Sequence, residues 1–429
     1  MRVFVLDKNL KPLDPCHPAR ARELLEKRRA RVFRRYPFTI VLPDRTVEES
    51  VTHDHRIKID PGSKVTGIAI VQEQTGRVTT ALEITHRGQQ IRNGLESRRA
   101  LRRGRRDRKT RYRQPRFLNR TRNKGWLPPS LESRVLNIET WVRRLRKLCP
   151  ITAISQELVR FDTQRLQNPE IDGVEYQRGT LFGFEVKEYL LAKWGRNCVY
   201  CGAENVPLEV EHIHPKSKGG SNRISNLTLA CRKCNEAKGD KPIEQFLKKK
   251  PELFKNIRAT TKAPLKDAAA VNSTRWELYR RLQNTGLPVE VGTGGRSKFN
   301  RQTRGIEKSH WTDAACVGES TPEGLLIRGI KPLLVTAKGH GTRQICNTDK
   351  YGFPISHAER GKYFMGFRTG DSVKASIPSG KYAGNHTGRI AIRFRPSFRL
   401  STKNKRFDVH PKYLMMIHQA DGYEYEFSK

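Results

Sequence analysis

Long apolar runs are missing from this chain. No stretch of about 18 or more consecutive apolar residues occurs among its 429 positions, which excludes a conventional membrane-crossing helix. The opening residues, MRVFVLDKNLKPLD, hold too short an apolar segment for a signal peptide. These two shortages predict a soluble, cytoplasmic protein. Cysteine is also scarce: eight in the whole chain are too few for a disulfide scaffold. Acidic side chains are outnumbered, with 43 Asp plus Glu against 84 Lys plus Arg, for a net charge of +41. That excess is far more than solubility requires and points to a polyanionic partner, with a ribosomal-type protein as the plainest alternative.

Four of the eight cysteines form two C-x-x-C pairs, Cys198/Cys201 and Cys231/Cys234. In a reducing compartment such pairs serve metal, and this spacing suits tetrahedral zinc held by two thiolate knuckles. Cys16, Cys149, Cys316 and Cys346 are scattered and read as ordinary buried thiols. The loop between the knuckles is longer than a simple zinc ribbon needs. Within it Glu211 and His212 close a strand, Asn226 opens the next, and Asn235 begins a helix just after the last cysteine pair.

A hairpin followed by a helix would gather Glu211, His212 and Asn235 beside room for one divalent ion and a phosphate. Phosphodiester hydrolysis needs that combination: an imidazole to take a proton from water, and a hard cation on oxygen ligands to offset charge in the transition state. The stretches CVYC, EHIHP, SKGG, SNL and CRKCNEAKGD resemble the zinc-stapled members of the HNH endonuclease family. The resemblance implies His212 as general base, Glu211 and Asn235 as ligands of one Mg2+, and Asn226 as the residue that orients the hairpin and the histidine. His214 reads as support for the loop.

Three more segments gain meaning only together. IKIDPGSKVTGIAI ends a strand in Asp60 before a tight turn, ITAISQELV carries Glu157 in a strand, and SHWTDAACVG sets His310 and Asp313 three apart on one helix face. They supply three carboxylates and a histidine, the inventory for a pair of magnesium ions. Their order resembles that of the RuvC-like nucleases of the RNase H fold, which implies Asp60, Glu157 and Asp313 as ligands of two Mg2+ and His310 as a residue helping to activate water. Between the first two segments lies SRRALRRGRRDRKTRYRQPRFLNRTRNK, residues 97–124, where fourteen Lys or Arg face a single Asp. Its position between folded segments predicts a helix lying on nucleic acid rather than a tail.

A RuvC-like fold interrupted first by an arginine-rich helix and then by an HNH domain resembles the layout of the IscB nucleases, transposon-encoded relatives of the large CRISPR-guided effectors. The expected fold is α/β: an RNase H-like RuvC fold in three segments (53–90, 126–162 and 276–322), with a bridge helix at 91–125 and a zinc-stapled ββα-metal HNH domain at 195–240. Linkers are expected at 163–194 and 241–275, a small N-terminal α/β unit similar to the PLMP domain at 1–52, and a basic β-rich domain that reads the target-adjacent motif at 323–429. The resemblance implies a monomeric ribonucleoprotein: a DNA endonuclease guided by a structured ωRNA. Its HNH site would cut the DNA strand paired with the guide, and its RuvC site the displaced strand. Arg98, Arg99, Arg102, Arg103, Arg105, Arg106 and Arg108 would grip the RNA backbone. The rival is an unguided HNH enzyme of the homing or restriction type.

Overall fold

The computed structural model describes residues 1–107, 125–158, 184–204, 206–221, 223–262, 268–339, 346–350, 353–357, 361–393, 395 and 397–427. Four short strands open the chain, β1 (Val3–Leu6), β2 (Pro12–Cys16), β3 (Arg31–Arg34) and β4 (Thr39–Val41), in the order β2-β1-β4-β3. The helix Pro18–Glu26 packs Ala21 and Leu24 against them. His17 caps that helix and Pro18 occupies its first turn, where a missing N–H costs nothing.

The body of the protein is a seven-stranded sheet in the order β11-β8-β5-β6-β7-β12-β22. Its strands are β5 (His55–Asp60), β6 (Val65–Gln72), β7 (Val78–Thr85), β8 (Ile151–Glu157), β11 (Val289–Gly292), β12 (Leu333–Ala337) and β22 (Tyr423–Phe427). The first three pair antiparallel, while β5-β8 and β8-β11 run parallel. Alternation along RIKID sends Ile57 and Ile59 to one face and Lys58 and Asp60 to the other. The isoleucine face is covered by the helices Pro129–Arg146 and Ala268–Gln283, whose Val135, Ile138, Trp141, Leu145, Leu278 and Leu282 complete a fully buried core. The other face carries small residues, Gly67, Ala69 and Ala81, so the short helix His310–Ala315 lies directly on the strands.

Pro61 follows Asp60 and donates no N–H, which ends β5 at the carboxylate. Gly62 then makes the turn, since a Cβ there would sit 2.0 Å from the Val65 carbonyl oxygen.

Two features differ from the sequence-based expectation. Residues 323–429 were expected as a separate β-rich domain, yet they lend β12 and β22 to the central sheet. The intervening chain forms β13 (Cys346–Thr348) to β14 (Pro354–His357) and β15 (Tyr363–Phe364) to β16 (Phe367–Arg368) pairs. A five-stranded sheet follows, built from β17 (Ser372–Ile377), β18 (Gly384–Ala391), β19 (Phe398–Ser401), β20 (Arg406–Val409) and β21 (Leu414–His418). The stretches expected as linkers also contain the helices Phe184–Lys193, Ile243–Phe246 and Pro251–Lys262. Tyr189, Leu190, Leu191, Ile243, Leu247 and Ile257 from these segments fill a core shared with Leu208, Leu227 and Leu229. Sparse apolar residues at helical spacing, diluted by lysines, hid that packing in the sequence.

Candidate functional sites

Asp60 and Glu157 stand side by side because of register. Parallel strands β5 and β8 pair Ile59 with Gln156, and the two acids are the next residue on each strand. Asp313 reaches them from the helix His310–Ala315. Ser309 and Thr312 form a reciprocal capping box that fixes where this helix starts. Gly67, opposite Asp60 in β6, lets the helix approach until its first carbonyl rests on the strand. Glu83 of β7, paired with Gly67, accepts the backbone N–H of Trp311 at 3.3 Å.

Burial, and then the charges of Glu157 and Asp313, push the Asp60 carboxyl up to about 8, against the pull of Arg275 and Arg196. Burial likewise raises Asp313 above the usual range, although Arg301 and Lys308 work against it. Cations of the chain itself hold the cluster together. The Arg275 guanidinium lies 3.0 Å from Glu157 Oε1 and 3.8 Å from Asp60 Oδ1, and donates to the Pro61 carbonyl. Arg301 Nε donates to Asp313 Oδ1 at 2.8 Å. His310 is exposed at the start of its helix. The charges of Glu157 and Asp313 both act on Asp60, and carboxylate oxygens gathered in this way are hard donors of the kind that suit divalent cations such as Mg2+.

The second site lies between β9 (Leu208–His212), β10 (Leu227–Cys231) and the helix Arg232–Lys238. Antiparallel pairing sets His212 against Leu227 and Glu211 against Thr228. A cleft of about 360 Å³ is lined by Glu211, His212 and Asn235, joined by Asp240. Asn226 clamps the loop behind His212. Its Oδ1 accepts from the His214 backbone N–H at 2.9 Å, and its Nδ2 donates to the carbonyls of His214 and Ser221. The His214 ring in turn meets the Lys218 carbonyl at 2.9 Å.

The structure gives Glu211 closer partners than a cleft ligand would need. It is 5% exposed; the Tyr200 hydroxyl donates to one oxygen at 2.6 Å and the Lys238 ammonium to the other. Burial and the adjacent carboxylate push the Tyr200 hydroxyl well above its usual range, so it remains a donor. Asn235 Nδ2 donates to Glu209 at 2.7 Å rather than to Glu211. Beside the His212 imidazole, the cleft still offers oxygens of Glu211, Asn235 and Asp240, which suit a hard cation.

The four cysteine sulfurs lie within 4.8 Å of one another, with Cys201 and Cys231 at 3.8 Å. Zinc–sulfur bonds of about 2.3 Å in a tetrahedron require sulfurs about 3.8 Å apart, so this cluster fits a structural zinc. Cys198, 1% exposed, lies against the same apolar core that the flanking helices fill.

Arg98, Arg99, Arg102, Arg103 and Arg106 stand exposed on the helix Gly88–Asp107, which also leaves Leu95 and Leu101 in solvent. The expectations for the Arg105 side chain and for Arg108 lie outside the described residues. Arg196, Arg275, Arg301, Glu83, Tyr200, Lys238, Glu209 and Asp240 all shape the two sites, and sequence reasoning assigned none of them. Glu209, Lys238 and Asp240 at least fell inside the stretch that drew attention, whereas Arg275 carried no local signal.

Among the described residues no helix is long and apolar enough to cross a membrane. The family described as RRXRR protein matches residues 3–179, which include Arg102-Arg103-Gly104-Arg105-Arg106, and the HNH endonuclease family matches residues 198–241. No curated protein gives a significant match. Among solved structures, the type II-C Cas9 enzyme from Actinomyces naeslundii is similar at 17% identity and a TM-score of 0.17, over 44% of this chain and 28% of its own. Streptococcus thermophilus Cas9 in complex with the GGAA PAM is similar at 14% identity and a TM-score of 0.23, over 61% of this chain and 32% of its own. The chain thus spans about a third of the length of these structures, and such TM-scores do not define how its parts are arranged.

Proposed function

We propose that this chain, which joins an RRXRR region to an HNH endonuclease domain, is an IscB-like nuclease that is RNA-guided and cuts the two DNA strands at two separate sites. One observation carries the reading: Asp60 and Glu157, at the ends of the neighbouring strands β5 and β8, feel each other's charge and that of Asp313 although more than 250 positions separate the first from the last, while Glu211, His212 and Asn235 line a cleft elsewhere. An unguided HNH enzyme needs no second carboxylate cluster. The run of three antiparallel and two parallel strands supports reading the body as the RuvC-like part.

At the HNH cleft His212 takes the proton of the attacking water, and Asn226 keeps that histidine aimed by fixing the loop behind it. Glu211, Asn235 and the adjoining acids would hold one Mg2+; Glu211 joins them once Lys238 releases one of its oxygens. At the carboxylate cluster Asp60, Glu157 and Asp313 would hold two Mg2+, Arg301 keeps Asp313 aligned, and His310 stands at the rim to take a proton. When bound, the cations neutralise charge on the phosphate as it is cleaved. The exposed arginine helix grips the guide through its backbone, and base pairing supplies sequence choice.

The test is strand-resolved cleavage by protein purified with its copurifying RNA. His212→Ala should cut only the displaced strand and Asp60→Asn only the paired one, each missing cut falling by about 10²- to 10⁴-fold. Loss of both cuts from either change, or cutting without RNA, overturns the reading.

A further inference from the structure

The HNH unit sends a side chain into the other nuclease site. Arg196 follows the helix Phe184–Lys193, whose leucines belong to the HNH core, and precedes the first zinc-type knuckle at Cys198. Its guanidinium approaches Glu157 across Gly294, and its charge acts on Asp60. Gly294 leaves both of them room: a Cβ there would be 2.8 Å from Arg196 Nη2 and 3.2 Å from Glu157 Oε1. The backbone holds Arg196 in the left-handed region at φ 62°, a conformation that costs a non-glycine residue about 1 kcal/mol or more, and its N–H bonds back to Leu191. Glycine would satisfy that turn better, and the arginine side chain is what glycine would lose.

Resting on the RuvC reading above, we propose that Arg196 is a positioning residue of the carboxylate site: it adds a second positive charge to that of Arg275 and sets how strongly Asp60, Glu157 and Asp313 hold a divalent cation. A guanidinium and a divalent cation compete for the same negative charge. Arg275 belongs to the body of the protein, on a helix packed into the main core through Leu278 and Leu282. Arg196 belongs to the HNH unit. Movement of that unit away from the sheet withdraws one positive charge from the carboxylates, so cation affinity at this site depends on where the HNH unit sits.

The experiment uses the full chain with its RNA and follows Mn2+ binding by electron paramagnetic resonance, without DNA. Arg196→Gly keeps the left-handed turn and should keep the melting temperature. It should tighten Mn2+ binding by about tenfold, since one charge a few ångströms away at a partly screened site is worth that order of effect. Arg196→Lys should stay near wild type, and the tightening should vanish when Asp60→Asn is added. Unchanged or weaker Mn2+ binding in a normally folded Arg196→Gly protein overturns the proposal, as does tightening that persists in the Asp60→Asn background. If Asp60→Asn alone binds as many Mn2+ ions as wild type, the carboxylate site is not a cation site and the RuvC reading itself fails. Should Arg196→Gly not fold, Arg275→Gln carries the same measurement and the same two overturning results.

Discussion

A Cβ on Gly67 would stand 1.8 Å from the carbonyl oxygen of His310. That approach is what lets the helix bearing Asp313 settle over the end of β5. Gly67→Ala must lift the helix, and a misplacement of about 1 Å at a catalytic group costs roughly 10²-fold in rate. The expected result is loss of displaced-strand cutting on that order, with paired-strand cutting kept, because the HNH cleft has its own core. Overpacking should also cost about 1–3 kcal/mol by urea denaturation. Strand-labelled DNA reads the first effect, and equal rates on both labels would refute the placement.

Part of this arrangement is legible in the sequence. Asp60 and Glu157 could be read because each ends an apolar alternation, and strand register alone then brings them together. The cysteine pairs could be read because thiolate zinc fixes its own spacing. The arginines could not. Arg275 and Arg196 act through side-chain length and the packing of elements distant in sequence, and in a chain with 84 basic residues no single one stands out. Glu211 shows the same limit from the other side: the sequence announced a carboxylate in the right place, but not that Tyr200 and Lys238 would occupy its oxygens.

Asp60 gives the metal-free protein a pH dependence with a definite sign. Its folded carboxyl titrates near 8, above the ordinary 3.8, so the folded state binds the proton more tightly than the unfolded chain. Stability conferred by that proton is complete below about pH 4 and is lost as the pH rises toward 8. In EDTA, urea midpoints of the wild type should fall between pH 5 and 8 relative to those of Asp60→Asn, taken as about one proton's worth of slope. Parallel curves for the two proteins would show that Asp60 ionises normally.

Removing zinc should open the HNH unit first. Cys198 and Cys201 tie the segment after the helix Phe184–Lys193 to the end of β10 and the helix that follows it. A structural thiolate site contributes its binding free energy to folding. Cys234→Ser, or a strong chelator, should release about one zinc per chain. It should also raise hydrogen exchange across 198–247 while the central sheet stays protected. Retained protection in the zinc-free protein would mean that the apolar core alone holds this unit.

The helix Gly88–Asp107 makes the charge argument quantitative. From Arg92 to Asp107 no described side chain is buried, and two leucines stand in solvent. On the function proposed above, the guide RNA lies along its arginines. Each phosphate neutralised on duplex-like RNA contributes about 0.9 or less to the slope of log affinity against log salt. Replacing Arg98, Arg99, Arg102, Arg103 and Arg106 together with alanine should therefore flatten that slope for the copurifying RNA by about three to five and weaken binding uniformly across guide sequences. Alanine is the better helix former, so helicity should hold. An unchanged slope with intact helicity would assign the RNA grip to other basic surfaces and leave this helix without the role its exposure implies.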